Sequence, residues 1–462
     1  MTKLLKNKTF LFTCLYFVVR ASSYFFSPDT PLHPASIVNT MISALILFSA
    51  VYLLYKKNIW GWYIILAEII LGGSGGFFQI LGISLRNLLL ITSISIFTYQ
   101  NFNFKKINLF KNPALYLITI ATLGIIIGYF NKHNLRLIYA DFIPYLYFLY
   151  YFPLKRLLLS DKFKIILKNL IFAWVMGNFI FILFSFIGFS INIFELQGNF
   201  YHWYRDVAMG KITDIGTGFF RMTLDEHLLL VPLILTFLYQ AINRKKEYLI
   251  PSTLLLVVLS INLTRIYWLA LIIGILFLFS KNNWKDWIKT SAYTFLILIS
   301  SFIFLHFLST GTLGLEILGL RTKSLVAPQS ENSSLSRMLI LPKALEIIKN
   351  NPILGEGLGD TVTVYSPVFQ KEITTPHFDW GYLEIMAELG LIGLIFWVYI
   401  IYIMIYIMIY IKNYSLLPSL VALMVINITS PALFHLWGII ILTFILTNLK
   451  NKYVNKTTKT SS

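Results

Sequence analysis

Thr374-Thr375-Pro376-His377-Phe378-Asp379-Trp380-Gly381 marks the point where the one long polar interruption of the chain, residues 309–380, gives way to an apolar run over 381–411. That run is too long and too poor in charge for a core helix of a soluble domain, and it reads as a membrane span. The composition around it agrees. Of 462 residues, 57% are hydrophobic and 13% charged, and the mean hydropathy is +0.73. A soluble protein of this size is excluded, and the chain falls in the membrane class.

Apolar runs of about 15 to 25 residues recur near 9–27, 36–55, 58–76, 80–100, 113–130, 137–153 and 166–193. They return near 221–242, 247–263, 265–280, 287–308, 381–411, 415–429 and 432–449. The expected fold is all-α: a polytopic transmembrane helical bundle of about 12–14 spans with one long external, periplasmic, partly helical loop at 309–380. Three regions follow: an N-terminal transmembrane bundle over 1–200, a second transmembrane region over 201–450 that holds the loop, and a tail over 451–462 whose polar composition reads as disordered. Lys3, Lys6 and Lys8 precede the first run, and no small-residue cleavage site follows it, so that run reads as a retained span.

The net charge of +18 does not imply a nucleic-acid partner. The basic residues stand in short clusters between apolar runs, such as Lys56-Lys57, Lys105-Lys106, Lys155-Arg156 and Arg244-Lys245-Lys246, as orientation by positive cytoplasmic loops requires. Alternating the spans from an inner N-terminus puts most of these clusters on one side, leaves both termini cytoplasmic and places 309–380 outside. The lone cysteine, Cys14, excludes an intramolecular disulfide and a cysteine metal site.

On that topology Arg221, Arg265, Arg337 and His377 share the outer membrane face. Arginine keeps its charge everywhere and offers a planar fork suited to phosphate oxygens. Arg221 opens a span and could equally pair with Asp225; Arg265, in Asn262-Leu263-Thr264-Arg265, could bind an anion or snorkel. Within the loop, Ser336-Arg337 begins a helical pattern that Asn350-Asn351-Pro352 stops, and Gly355-Glu356-Gly357-Leu358-Gly359-Asp360 turns the chain. No strand precedes those glycines and no lysine follows, so they are read as a tight turn rather than a nucleotide loop. Pro342 must lie in the first turn of the helix or kink it. His377, beside Asp379, has the makings of an oriented base, although it is one of seven histidines. Glu384 and Glu388 follow it one helical turn apart. Gly72-Gly73-Ser74-Gly75-Gly76 reads as close packing or an outer turn. The intramembrane Arg20 and Arg86 read as paired, with Glu68 or Asp141, or as ligand groups.

Taken together these residues resemble the O-antigen ligase and O-antigen polymerase superfamily of bacterial membrane glycosyltransferases, over roughly residues 215–400. The resemblance rests on Glu388-Leu389-Gly390-Leu391-Ile392-Gly393-Leu394 after a histidine. It rests also on Arg337 followed by Asn351-Pro352-Ile353-Leu354-Gly355-Glu356-Gly357-Leu358-Gly359, on Arg265 after Leu263-Thr264, and on Arg221 upstream. One departure stands out: many relatives carry a His-Asn pair eleven residues before the glycine of this motif, where the present chain has Asp379, with His377 two residues earlier.

The resemblance implies a polyprenyl-diphosphate-linked glycan as donor, a lipid or glycan acceptor, and a site on the outer side of the bacterial cytoplasmic (inner) membrane. It implies catalytic roles for His377, Arg265 and Arg221, substrate binding by Arg337, Asp379 and Glu388, and inversion at the anomeric carbon. No cluster of carboxylates or histidines stands at ligand spacing along the sequence, so neither metal nor cofactor is expected. A ligase acting on lipid A core is expected ahead of a polymerase. A lipid-glycan transporter is the alternative of another class, which Arg20, Arg86 and Asp141 would also fit.

Overall fold

The computed structural model describes residues 3–27, 29–30, 33–34, 37–101, 113–215, 218–243, 245–279, 283–317, 319, 332–367 and 370–460. Lys105, Lys106, Arg244 and part of the long loop lie outside the described residues. In chain order the helices are α1 (Lys3–Phe26), α2 (Ile37–Tyr55), α3 (Ile59–Leu71), α4 (Leu85–Asn101), α5 (Pro113–Phe130) and α6 (Leu135–Leu146). There follow α7 (Tyr151–Leu157), α8 (Asp161–Ser190), α9 (Asn199–Asp206), α10 (Leu230–Ile242), α11 (Leu249–Asn262) and α12 (Arg265–Leu276). The last are α13 (Trp284–Thr310), α14 (Asn332–Asn350), α15 (Gly381–Ile411), α16 (Leu417–Ile426) and α17 (Leu436–Thr460). Strands occur only as two-stranded hairpins among the described residues: β1–β2 (Asp29–Thr30 and His33–Pro34), β3–β4 (Gln79–Ile80 and Ile83–Ser84), β5–β6 (Lys211–Asp214 and Phe220–Thr223) and β7–β8 (Val362–Ser366 and Lys371–Thr375).

The all-α, polytopic expectation holds. Seven of the described helical segments are long and apolar enough to cross a membrane, from Lys8–Phe26 to Gly381–Ile411. Several of the other apolar runs form shorter helices. The 12 residues of α12 rise only about 18 Å at 1.5 Å each, well short of a hydrocarbon core of about 30 Å. The run near 137–153 is divided among α6, a 3₁₀ turn and α7, with Pro144 inside the last turn of α6. Proline removes a backbone donor and crowds the preceding turn, which is reason enough for a break there. The tail does not read as the sequence implied: α17 runs on to Thr460, held where Asn451 Nδ2 donates to the Lys155 carbonyl and Lys456 Nζ to that of Tyr410.

The chain forms two compact units, each assembled from separated segments. The first comprises 1–102, 159–264 and 278–314. Here α1 packs on α8, α8 on α11, and α11 on α13. Its buried charges are paired. Arg20 meets Glu226, 206 residues away in sequence, and its guanidinium lies over the Tyr16 ring. Arg86 meets Glu68 at 3.0 Å and donates to the Gly73 carbonyl at 2.9 Å. In an apolar setting a lone charge is costly, and pairing with further hydrogen bonds is the arrangement that offsets it. The glycine run at 72–76 thus supplies backbone that wraps an arginine.

The second unit comprises 103–158, 265–277 and 315–462. Its organising feature is a break inside α15 at Gly390, where φ is 63° and ψ −167°. That conformation is open to glycine and closed to other residues. A broken helix exposes backbone groups that must find partners in a dry environment, and the segment 352–357 supplies them. Leu391 and Ile392 N–H groups donate to the Pro352 and Ile353 carbonyls at 2.9 and 3.3 Å. Glu356 and Gly357 N–H groups donate to the Ala387 and Glu388 carbonyls at 2.7 and 2.9 Å. The turn then passes α5, with Leu358 N–H on the Gly124 carbonyl at 3.0 Å, and ends with Gly359 N–H on Asp141 Oδ2 at 2.9 Å. A side chain at Gly357 would collide with the backbone of Gly128. So Gly355–Gly359 is a turn of close packing, as its sequence suggested.

Around this turn, α14 and the hairpin β7–β8 (Val362–Ser366 and Lys371–Thr375) form a small apolar cluster of Ile340, Ala344, Val362, Phe378 and Ala387. The helix expected after Ser336 begins earlier, at Asn332, and stops at Asn350 with Pro342 in its interior. The hairpin was missed by the sequence reading. Its signal was the alternation of Val362 and Val364 with polar residues, which is short enough to be overlooked beside the stronger apolar runs.

Candidate functional site

The junction between β8 and α15 carries His377, and three elements fix it. Phe378 is fully buried and anchors the junction in the apolar cluster. Trp380 Nε1 donates to the Arg337 carbonyl at 3.2 Å, tying the junction to α14. The Thr375 hydroxyl accepts from the His377 N–H at 3.2 Å. Asp379 between them has φ 58°, a left-handed conformation that an aspartate tolerates better than most residues. With its backbone fixed in this way, the His377 side chain remains 51% exposed.

Beneath it lies Glu384, in the first turns of α15 and only 2% exposed. Its Oε2 accepts the Phe378 N–H at 3.0 Å, and its Oε1 stands 3.9 Å from His377 Nδ1. The Glu384 carboxylate holds the His377 imidazole above its ordinary pKa, against burial, with Asp141 and Asp379 adding in the same direction. A carboxylate facing Nδ1 favours the tautomer with its proton there and leaves Nε2 as the basic atom. His435 completes the group: its ring centroid is 5.5 Å from that of His377. It sits on a turn fixed by the Leu433 N–H donating to Asn427 Oδ1 at 2.9 Å. The ligand-capable atoms of His377, Glu384 and His435 all lie within 4.8 Å of one another.

The other candidates are placed as follows. Glu388, 2% exposed, lies a turn below Glu384 and beside Asp141, the residue that also receives the Gly359 N–H. Its side chain therefore faces the turn of close packing. Arg337 is half-buried, and its Nε is enclosed without a hydrogen-bond partner among the described residues. Arg265 is the first residue of α12, half-buried, in the same unit as His377, and α12 packs on α16. Arg221 belongs to the first unit. It does not open a helix, as expected, but stands on β6 (Phe220–Thr223), opposite Thr213 of β5 (Lys211–Asp214). Its Nε donates to the Asn262 carbonyl and its second amino group to the Thr264 hydroxyl, both at 3.0 Å. Asn262 in turn donates to His227 Nδ1 at 2.9 Å, and Leu263 takes φ 49°. Arg221 thus braces the turn that precedes Arg265 in the chain.

Sequence reasoning named Glu384 without giving it a role and passed over His435 as a site residue. Glu384 could have been preferred by its closeness to His377; no local signal marks His435, which is brought in from 58 residues further on.

Fold and site together define a multi-pass membrane protein with a histidine–carboxylate group at the head of a broken membrane helix. Residues 250–398 match the family described as O-antigen ligase, and this match supports the resemblance to the O-antigen ligase and polymerase superfamily. The matched stretch contains Arg265, Arg337, His377, Asp379, Glu384 and Glu388, and leaves Arg221 and His435 outside it. No curated protein and no solved structure matched the chain.

Proposed function

We propose that the protein transfers a glycan from a polyprenyl-diphosphate carrier to an acceptor hydroxyl on the outer side of the cytoplasmic membrane, as an O-antigen ligase with a lipid A core acceptor. The observation that carries this reading is His377, half-exposed and backed by the buried Glu384, inside the segment that matches the family. The acceptor oxygen attacks the anomeric carbon, its proton passes to His377 Nε2, and the bond from that carbon to the diphosphate oxygen breaks. A single displacement inverts the anomeric centre. The diphosphate leaves with growing negative charge, which a fixed guanidinium stabilises without a metal. Arg265 is assigned that work, and Arg221 supports it through the Asn262–Thr264 turn. Arg337 and Asp379, on the two sides of the Trp380 bond, are assigned to the saccharide. Glu388 keeps a place near the substrate only through the turn it holds.

The polymerase reading uses the same donor chemistry and differs in its acceptor. The transporter reading loses its motive, because Arg20, Arg86 and Asp141 all have partners in the fold. The test is the purified protein in nanodiscs with a synthetic polyprenyl-diphosphate glycan, given lipid A core in one reaction and further lipid-linked repeat in another. Product on the core alone supports the ligase, and a ladder of longer lipid-linked glycan would make it a polymerase. No product in either, with donor crossing proteoliposomes, would overturn the enzyme.

A further inference from the structure

Two imidazoles and one carboxylate converging at the head of α15 offer more than a base. Two nitrogens and one oxygen form a donor set that suits zinc and its neighbours, whereas magnesium and calcium call for oxygen alone. A three-ligand set also leaves a coordination position open, which is the pattern of an exchangeable rather than a structural ion. The surroundings are already arranged for it. The second oxygen of Glu384 is held by the Phe378 N–H at 3.0 Å, the kind of outer-shell bond that aims a ligand. His435 is fixed by its own turn on Asn427. His377 is half-exposed, which provides both a route in and the freedom to move. Metal–nitrogen bonds of about 2.0–2.1 Å need ligand atoms about 3.4 Å apart in a tetrahedron; the three ligand atoms lie within 4.8 Å of one another, with His377 Nδ1 and Glu384 Oε1 at 3.9 Å, so small side-chain rotations bring them to that spacing.

We propose that His377, Glu384 and His435 bind one divalent cation of the zinc type, and that the ion, bound at the His377 Nδ1 that faces Glu384, leaves the ring proton on Nε2, so that His377 no longer acts as a base and glycan transfer is inhibited. The inhibition, though not the binding, rests on the function proposed above. No metal takes part in the transfer itself on this account, so chelation leaves the activity intact.

The experiment is calorimetric titration of zinc chloride into the full chain, in nanodiscs, stripped with chelator, freed of any histidine tag and without donor. One zinc per chain is expected, magnesium chloride should give no heat, and His435→Ala and Glu384→Gln should each weaken zinc binding at least tenfold. Cobalt binding to the unaltered protein gives a second readout, since tetrahedral cobalt absorbs visible light and zinc should displace it. Absence of zinc binding by the folded protein would overturn the site, as would unchanged binding in a folded His377→Ala/His435→Ala double variant. Zinc that binds there yet leaves transfer unaltered would keep the site and remove His377 from the role of base.

Discussion

His377 and Glu384 are separated by seven positions in sequence but act as a unit, because the buried carboxylate changes what the imidazole does. Loss of a positioned base costs about 10²–10⁴ in rate, and His377→Ala should show a loss of that size in single-turnover glycan transfer. An unaltered rate would refute the assignment. The acting form of a base is neutral, and the Glu384 carboxylate favours the protonated imidazole, raising its pKa from 6.5. Transfer should therefore rise with pH through a value above 6.5, the ordinary imidazole value. With Glu384→Gln the raising charge is gone, so the rise should move to lower pH even as the maximal rate falls. A pH–rate profile that stays in place would detach Glu384 from the mechanism. The same logic ranks Asp379 below Glu384: Asp379→Asn should move that rise to lower pH by less than Glu384→Gln does, because its charge contributes less than that of Glu384 to the raised His377 pKa.

At the scale of elements, the break in α15 and the turn that fills it form one structure. Gly357 meets the Gly128 backbone, and Gly390 meets Ile353, so added methyl groups have nowhere to go. Overpacking costs about 1–3 kcal/mol, with a further penalty of about 1–3 kcal/mol for a side chain in a positive-φ conformation that only glycine readily adopts. Gly357→Ala and Gly390→Ala should each lower the thermal unfolding midpoint in detergent, and a midpoint within error of the unaltered protein would sink the packing account. Arg221 is tested through the turn it braces. Arg221→Ala removes two charge-assisted bonds, worth about 1.5–3 kcal/mol each. If bracing is its contribution, Thr264→Val, which deletes one of those acceptors, should reproduce part of the loss in transfer. Full activity in Thr264→Val beside an inactive Arg221→Ala would point to direct contact with the diphosphate instead.

For the whole molecule, orientation is the property to test, because the proposed reaction needs His377 outside. With Cys14 replaced by serine, a single cysteine at Lys343, which is exposed on α14, should react with an impermeant maleimide in cells whose outer membrane alone is opened. A single cysteine at Lys412, exposed between α15 and α16, should react only after the inner membrane is broken. The opposite pattern would invert the topology and with it the proposed function.

What the sequence by itself determined was what local pattern can encode. The length of an apolar run decides whether it is stable in hydrocarbon, so the membrane class and the all-α architecture were legible before any contact was known. The order of Arg265, Arg337, the glycine turn and the Glu388–Leu394 motif was enough for the resemblance that the match over residues 250–398 supports. Even the stop at Asn350-Asn351-Pro352 is local chemistry. Partner choice is not local. Glu384 and Glu388 lie a turn apart on one helical face, and no propensity says that the first meets His377 while the second meets Asp141. That was decided by the 352–359 segment, which enters the break at Gly390 and binds Glu388 to the turn. Arg20 and Glu226, and His377 and His435, are likewise brought together only by packing of distant segments. In an apolar interior each buried charge and each open backbone group must be satisfied, but the sequence states only the need, and the tertiary structure selects which group meets it.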